Sequence, residues 1–250
     1  MRADQLLVEL GLATSRSQAQ RLIASGVRWL DRGAWKSVVK NGEELPPQAQ
    51  VELLDSAEAR YVSRGGLKLE GALATSGIDV AGKICLDVGQ STGGFTDCLL
   101  QHGAARVTGV DVGHGQLHEK VRRDPRVVAI ESVNARELTA QQVGNDFDLI
   151  IGDLSFISLT LVLPALVPLL KSGGATLMLV KPQFELQPGQ VGKRGIVTDP
   201  SLYAIVEKRL RDCCAALGLR VQGWYDSPVT GGDGNREFFI YATKDEGGKP

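Results

Sequence analysis

The chain is poor in cross-linking potential: its 250 residues include four cysteines, Cys85, Cys98, Cys213 and Cys214, none in a C-x-x-C pair. The adjacent Cys213 and Cys214 suit neither an ordinary disulfide nor a zinc knuckle. The four therefore read as small buried side chains in a reducing compartment. No sign of charge dominates, since 28 Lys and Arg against 29 Asp and Glu leave a net charge of −1. This excludes a polycation and confines any nucleic-acid surface to a local patch. Long apolar runs are missing as well. The opening MRADQLLVELG has no apolar stretch before a small-residue cleavage site, and the most apolar segment, 159–170, is short and holds two prolines. No long basic amphipathic helix supports a membrane-lytic activity. A cytoplasmic protein without stable membrane association is expected.

What is present fits one large α/β domain and one small module. Hydrophobic residues make up 43% and charged residues 23%, ordinary for a globular protein. Residues 3–11 have helical spacing with Gly11 as a stop. Ser15 reads as the N-cap of a second helix over 15–25, ended by Gly26. Short β-like pieces follow at 27–30, 38–39 and 51–54, and Asn41-Gly42 is a turn signal. Between 16 and 40, Arg16, Arg21, Arg28, Arg32, Lys36 and Lys40 face only Asp31, a local net of +5. This basic patch is either a solvated face or an RNA-binding one. Residues 1–58 are read as the small module, 59–64 as a linker within a polar stretch that starts at Asp55, and 65–245 as the main domain. Gly65-Gly66 marks a break before a helix over 67–76, and the tail 246–250 is expected to fray.

From Lys83 onward, strands and helices alternate: strands at 84–88, 106–112, 147–152 and 175–180, helices at 95–102, 159–170 and 201–217, then strands at 221–225 and 237–243. Alternation of this kind predicts a doubly wound, Rossmann-like, mostly parallel sheet. The last strand follows its predecessor through a loop without a helix, so it should run antiparallel.

Ligands of such sheets bind at the C-terminal strand ends. Here those ends carry Asp87-Val-Gly-Gln-Ser-Thr-Gly-Gly94, Asp111, Asp153 and Lys181. The glycine loop admits three readings. A dinucleotide site needs G-x-G-x-x-G, whereas this loop runs G-x-x-x-G-G with an acid two residues before its first glycine, where it would repel a pyrophosphate. Gly89-Gln-Ser-Thr-Gly93 also fits a serine-hydrolase elbow, but that fold needs a late histidine and the last one here is His118. Asp87-x-Gly89-x-x-x-Gly93 followed by Asp111 is the arrangement for S-adenosylmethionine, with Asp87 suited to the methionine ammonium and Asp111 to both ribose hydroxyls. The donor site is assigned to Asp87, Gly89, Ser91, Thr92, Gly93, Gly94, Phe95, Asp111, Val112 and Asn134. No metal is expected: His114 and His118 share a spacing of four, but glycines interrupt that stretch and no further ligand is nearby.

Methyl transfer to an alcohol requires that a poorly acidic hydroxyl be positioned and its developing negative charge stabilised, work suited to a lysine flanked by carboxylates. Transfer to an exocyclic amine usually shows an Asn/Asp-Pro-Pro-aromatic loop, and the corresponding Asp153-Leu-Ser-Phe156 has no proline.

Residues 63–245 resemble the FtsJ-type ribose 2′-O-methyltransferases, which carry a Lys-Asp-Lys-Glu tetrad. The positions that match it are Lys68 in Gly65-Gly-Leu-Lys-Leu-Glu70, Asp153 in Gly-Asp-Leu-Ser-Phe-Ile-Ser158, Lys181 in Val-Lys-Pro-Gln-Phe-Glu185 and Glu237 in Gly-Asn-Arg-Glu-Phe-Phe239. Residues 2–54 resemble a small RNA-binding module first seen in a ribosomal protein, with the signature Ser15-Arg-Ser-Gln-Ala-Gln-Arg-Leu-Ile-Ala-Ser-Gly26. The two in this order resemble the TlyA family of 16S/23S rRNA (cytidine-2′-O)-methyltransferases, also called haemolysins; Tyr61-Val-Ser-Arg-Gly-Gly66, 109–117 and 197–200 match closely. The resemblance implies that Lys181 sits nearest the target hydroxyl, oriented by Asp153 and Glu237, with Lys68 completing the network. It implies ribosomal RNA or ribosomal subunits as partners, with Arg16, Arg21, Arg28 and Arg64 as RNA-facing residues. The oligomeric state is left open.

Overall fold

The computed structural model describes residues 1–54, 60–231 and 234–245. The expected linker's first residue and the expected frayed tail at 246–250 lie outside the described residues. Contacts divide the chain into two units, Met1–Leu67 and Lys68–Pro250.

The first unit packs α1 (Ala3–Glu9) and α2 (Arg16–Gly26) beside a three-stranded antiparallel sheet of β1 (Val27–Asp31), β2 (Ala34–Ser37) and β3 (Val51–Leu53), in the order β2-β1-β3. Its core gathers Leu6, Leu7, Leu22, Ile23, Val27 and Val38. Ser15 caps α2 by accepting from the Gln18 N–H at 3.2 Å, as the spacing predicts. Two readings need correction. The second strand is Ala34–Ser37, not 38–39: Val38 instead turns into the core, with 5% exposure. The hairpin turn is Arg32-Gly33, both at positive φ (51° and 86°), the backbone a two-residue primed turn requires. Asn41-Gly42 is a turn of another kind: the carbonyls of Asn41 and Glu43 accept from the N–H groups of Asp4 and Ala3, satisfying the start of α1.

The second unit begins within α3 (Gly65–Ser76), whose first turn contains the Gly65-Gly66 pair that reads as a break. A Cβ at Gly66 would stand 2.2 Å from the Tyr61 ring, so glycine here admits a neighbour and does not end a helix. The seven-stranded sheet has the order β6-β5-β4-β7-β8-β10-β9. Its strands are β4 (Ile84–Val88), β5 (Arg106–Val110), β6 (Val127–Ile130), β7 (Phe147–Gly152), β8 (Leu170–Val180), β9 (Leu219–Asp226) and β10 (Phe238–Lys244). The β6-β5-β4-β7-β8 run is parallel, and β10 is antiparallel to both β8 and β9. The central strands are buried on both faces, which explains their near-continuous apolar sequences. The edge strand β6 has four residues and no fully buried side chain, so its sequence carries little strand signal.

Between the strands lie α4 (Gly94–Gln101), α5 (Glu119–Arg122), α6 (Ala140–Val143), α7 (Leu159–Leu166), α8 (Pro182–Glu185) and α9 (Ser201–Ala216). Leu163, Leu166, Leu210 and Cys214 of α7 and α9 join Ile150, Met178 and Ile240 of the sheet in one core. Among the described residues, no helix is long and apolar enough to cross a membrane.

Candidate active site

The parallel strands β4, β5, β7 and β8 deliver their C-terminal ends to one side of the sheet. The register pairs Val88 with Gly152 and Gly152 with Met178, and pairs Val180 with Phe238 on the antiparallel neighbour. Gly89, Asp153, Lys181 and Glu237 therefore follow one another along a single sheet edge.

On the β4–β5 side the backbone does most of the work. Gly89 sits at φ +84°, and a Cβ there would lie 2.7 Å from the Asp153 carbonyl oxygen, so no other residue fits the path. Asp111 accepts from the Ser91 N–H at 2.8 Å and the Gly113 N–H at 2.7 Å. Asp87 is fully buried. One of its oxygens accepts from the Thr96 hydroxyl at 2.6 Å, while Oδ1 has no hydrogen-bond partner among the described residues. Burial pushes its carboxyl up to about 7, opposed by the Thr96 hydrogen bond and assisted by the negative charge of Asp153. A buried acid with an open oxygen is a costly feature that a cationic ligand group would relieve.

A cavity of about 470 Å³ opens here, lined by Gly89, Ser91, Asp111, Val112, Asn134 and Asp153 together with 154–157. That is the size of a small-molecule site. Other residues assigned to the donor do not line it. Phe95 is buried with its ring stacked on Phe239 at 6.1 Å, and Gly93 (φ +91°) caps α4 where a Cβ would meet Leu117 at 2.7 Å. Gly94 begins that helix and the Thr92 carbonyl accepts from the His118 N–H. Asp87, fully buried, is a fifth assigned residue that does not line the cavity.

On the β7–β8–β10 side, side chains pair. Lys181 Nζ lies 2.6 Å from Asp153 Oδ1 and donates to Ser155 Oγ at 2.8 Å. Lys68 Nζ donates to Glu237 Oε2 at 2.5 Å, with the two side chains only 8% and 3% exposed. The tetrad positions thus come together as two ion pairs on neighbouring strand ends.

Several contributors carry no motif of their own. Glu185, 3% exposed, accepts from the Ser158 hydroxyl at 2.5 Å and the Leu159 N–H at 2.7 Å, so it caps α7 and fastens loop 153–158 to the Lys181 strand end. Its carboxyl is raised by burial against those two hydrogen bonds. Phe156, at φ +63° and 90% exposed, holds its ring 5.0 Å from that of Phe184. Buried Asn235 accepts from the Val197 N–H and donates to the Gly195 carbonyl. An exposed aromatic in a left-handed conformation leaves no mark in sequence spacing, whereas Asn235 could have been singled out within Gly-Asn-Arg-Glu.

The arginines expected to face RNA are less free than the local charge suggests. Arg16 lies 3.0 Å from the buried Asp4, Arg28 2.7 Å from Glu52 and Lys36 2.5 Å from Asp31. The Arg2 guanidinium, joined by Gln20 and Arg16, holds the Asp4 carboxyl well below the usual range despite its burial. Arg21 donates to the Ser17 carbonyl and Arg64 is half-buried. Among the described residues, no group of three His, Cys, Asp or Glu side chains could hold a metal ion; His118 instead caps α5.

This geometry agrees with what related proteins are. Residues 61–244 match the FtsJ-like methyltransferase family, and residues 1–26 match the S4 domain family. The chain is 45% identical over 240 residues to the 16S/23S rRNA (cytidine-2′-O)-methyltransferase TlyA of Mycobacterium tuberculosis, covering 96% of this chain and 88% of that protein. It is 38% identical over 245 residues to Hemolysin A of Brachyspira hyodysenteriae, covering 96% and 99%. Among solved structures, a protein named as a hemolysin from Streptococcus thermophilus superposes with a TM-score of 0.76 at 40% identity, covering 98% of this chain and 89% of that one. With its glycine loop, paired strand-end charges and nearly full-length similarity, the chain belongs to the FtsJ-like methyltransferases and, within them, to the TlyA family.

Proposed function

We propose that this protein methylates the ribose 2′-hydroxyl of a cytidine in ribosomal RNA, using S-adenosylmethionine as donor. The observation that carries the reading is the Lys181–Asp153 ion pair at the edge of a cavity whose floor is the Gly89 turn. When bound, S-adenosylmethionine supplies an electrophilic methyl on a sulfonium sulfur. Of the residues lining the cavity, Asp111 suits the donor's ribose and Val112 and Asn134 its base; its ammonium we assign to Asp87, whose open Oδ1 is fully buried and lies outside the cavity lining. None of these contacts needs a metal ligand.

On the acceptor side, Asp153 and Ser155 hold the Lys181 ammonium in place. A fixed ammonium stabilises negative charge growing on a hydroxyl oxygen placed beside it, and does so more strongly where water is excluded. Lys68 and Glu237 form the neighbouring, more buried pair and fix the β10 strand end. The exposed Phe156 ring offers a surface on which an unstacked base can lie. Within the N-terminal unit, α2 carries Arg16 and Arg21, which we assign to RNA phosphates together with Arg28 and Arg64. We assign residues 1–58 to RNA binding, 59–64 to a linker and 65–245 to methyl transfer, with the protein acting in the cytoplasm on ribosomal RNA or subunits.

The test is transfer of a labelled methyl group to purified ribosomal subunits and to naked 16S and 23S rRNA, followed by digestion to nucleosides. Label in 2′-O-methylcytidine is expected. Label on a base, or none in RNA, overturns the proposal.

A further inference from the structure

Most of the cations in this nearly neutral chain are spoken for. Arg122 pairs with Glu131, Arg126 with Asp124, Lys171 with Asp148, Lys208 with Asp212 and Arg236 with Asp226. Lys193 and Arg194 are not; Lys40, Arg106 and Arg136 are likewise exposed without an ion-pair partner among the described residues, but each of those stands alone in sequence. Lys193 and Arg194 are both exposed, they are adjacent, and neither lies within ion-pair distance of an acid among the described residues. The sequence around them is equally one-sided, since no acidic residue occurs between Glu185 and Asp199.

The loop that carries them is built. The Gly192 N–H donates to the Ile196 carbonyl at 2.9 Å, closing a tight turn, and a Cβ at Gly192 would sit 2.9 Å from that same oxygen. Arg194 adopts a left-handed backbone (φ +66°), uncommon for a residue with a side chain. Asn235, 2% exposed, clamps the turn by donating to the Gly195 carbonyl at 2.9 Å and accepting from the Val197 N–H at 3.0 Å. Asn235 is two residues from Glu237, so the turn is bolted to the strand entry that holds Lys68. Two cations with no acidic partner among the described residues are thus displayed from a turn that Asn235 ties to the β10 entry, and part of the ordering cost of a charged contact is met by folding.

We propose that loop 192–198, through Lys193 and Arg194, is a docking surface for the phosphate backbone of the RNA substrate on the methyltransferase unit itself. An ammonium beside a guanidinium suits phosphate oxygens, and contacts of this kind position a nucleic acid without reading its sequence. The proposal rests on the reading of the protein as an RNA methyltransferase and adds a site that holds the target while the strand ends act on it.

The experiment uses the full-length protein with naked 16S and 23S rRNA as probes. RNA affinity is measured against salt concentration for the wild type and for Lys193→Gln/Arg194→Gln, which removes both charges while keeping polar side chains. Lys208→Gln, which disturbs an already paired cation, serves as a control. For the double variant, the plot of log affinity against log salt should become shallower by about 1 to 2. Its KM for RNA should rise about tenfold near 0.1 M salt, with kcat at saturating RNA and affinity for S-adenosylmethionine both unchanged within about twofold. Arg194→Lys, which keeps the charge, should retain most of the salt slope. An unchanged slope and KM, with wild-type methylation intact, would overturn the docking surface and leave the proposed function standing. A raised KM with an unchanged slope would also overturn it, because the lost partner would then not be phosphate. Absence of methyl transfer by the wild type to either RNA would instead remove the function on which the proposal rests.

Discussion

The two ion pairs at the sheet edge look alike in chemistry and differ in burial. Lys68–Glu237 is sealed, at 8% and 3% exposure, while Lys181–Asp153 is reachable, at 13% and 24%, and its acid lines the cavity. Removing one member of a sealed pair mainly leaves an unpaired charge in the interior. A reachable pair can offer its ammonium to an incoming oxygen. We infer from this difference that Lys181–Asp153 is the half of the motif that meets the substrate and Lys68–Glu237 the half that holds the strand end.

The comparison breaks most sharply at Lys181. Lys181→Ala should lower methyl transfer by about 10³-fold, the scale on which a positioned charge acts, with little change in melting temperature. Glu237→Ala should show the reverse emphasis: the stranded Lys68 ammonium should cost about 3 kcal/mol of unfolding free energy, read by chemical denaturation. Replacing both members, as Lys68→Met with Glu237→Leu, should recover most of that loss. A smaller effect is expected on the donor side. Gly89→Ala forces a Cβ against the Asp153 carbonyl at positive φ, and donor affinity, followed by calorimetry, should fall about tenfold or more.

The smallest effect is a pH dependence. The Asp87 carboxyl, raised by burial to about 7, is neutral below that value and then offers no charge to an ammonium. Donor affinity should therefore weaken roughly tenfold between about pH 8 and about pH 6, and Asp87→Asn should flatten the curve at weak affinity. The sign for folding is opposite. A carboxyl raised in the folded state binds its proton more tightly than in the unfolded chain, so this residue removes stability from the donor-free protein as pH rises from about 4 to about 7.

Much of this was legible because the chemistry sits in short runs at strand ends, where buried strands read as apolar blocks and the following residues stand out. The glycine turn, Asp111, Asp153 and Lys181 could be placed that way, and the antiparallel last strand followed from a connection that contains no helix. What escaped lacks such a signal. β6 is a short edge strand with no alternation to detect. The hairpin turn at Arg32-Gly33 uses an arginine at positive φ, which turn preferences do not favour. The basic N-terminal segment looked uncompensated because Asp4 and Glu52, which pair with Arg16 and Arg28, lie outside it in sequence. Glu185 appeared only as the end of a motif, although in the fold it ties the Asp153 loop to the Lys181 strand.

The account holds at its centre that the strand-end lysine acts on the acceptor and takes no part in holding the donor. Titration of S-adenosylmethionine into the Lys181→Ala protein tests this directly. A dissociation constant within about twofold of the wild type is predicted, since Lys181 is ion-paired with Asp153, donates to Ser155 and does not line the cavity. Loss of donor binding in step with loss of transfer would contradict it.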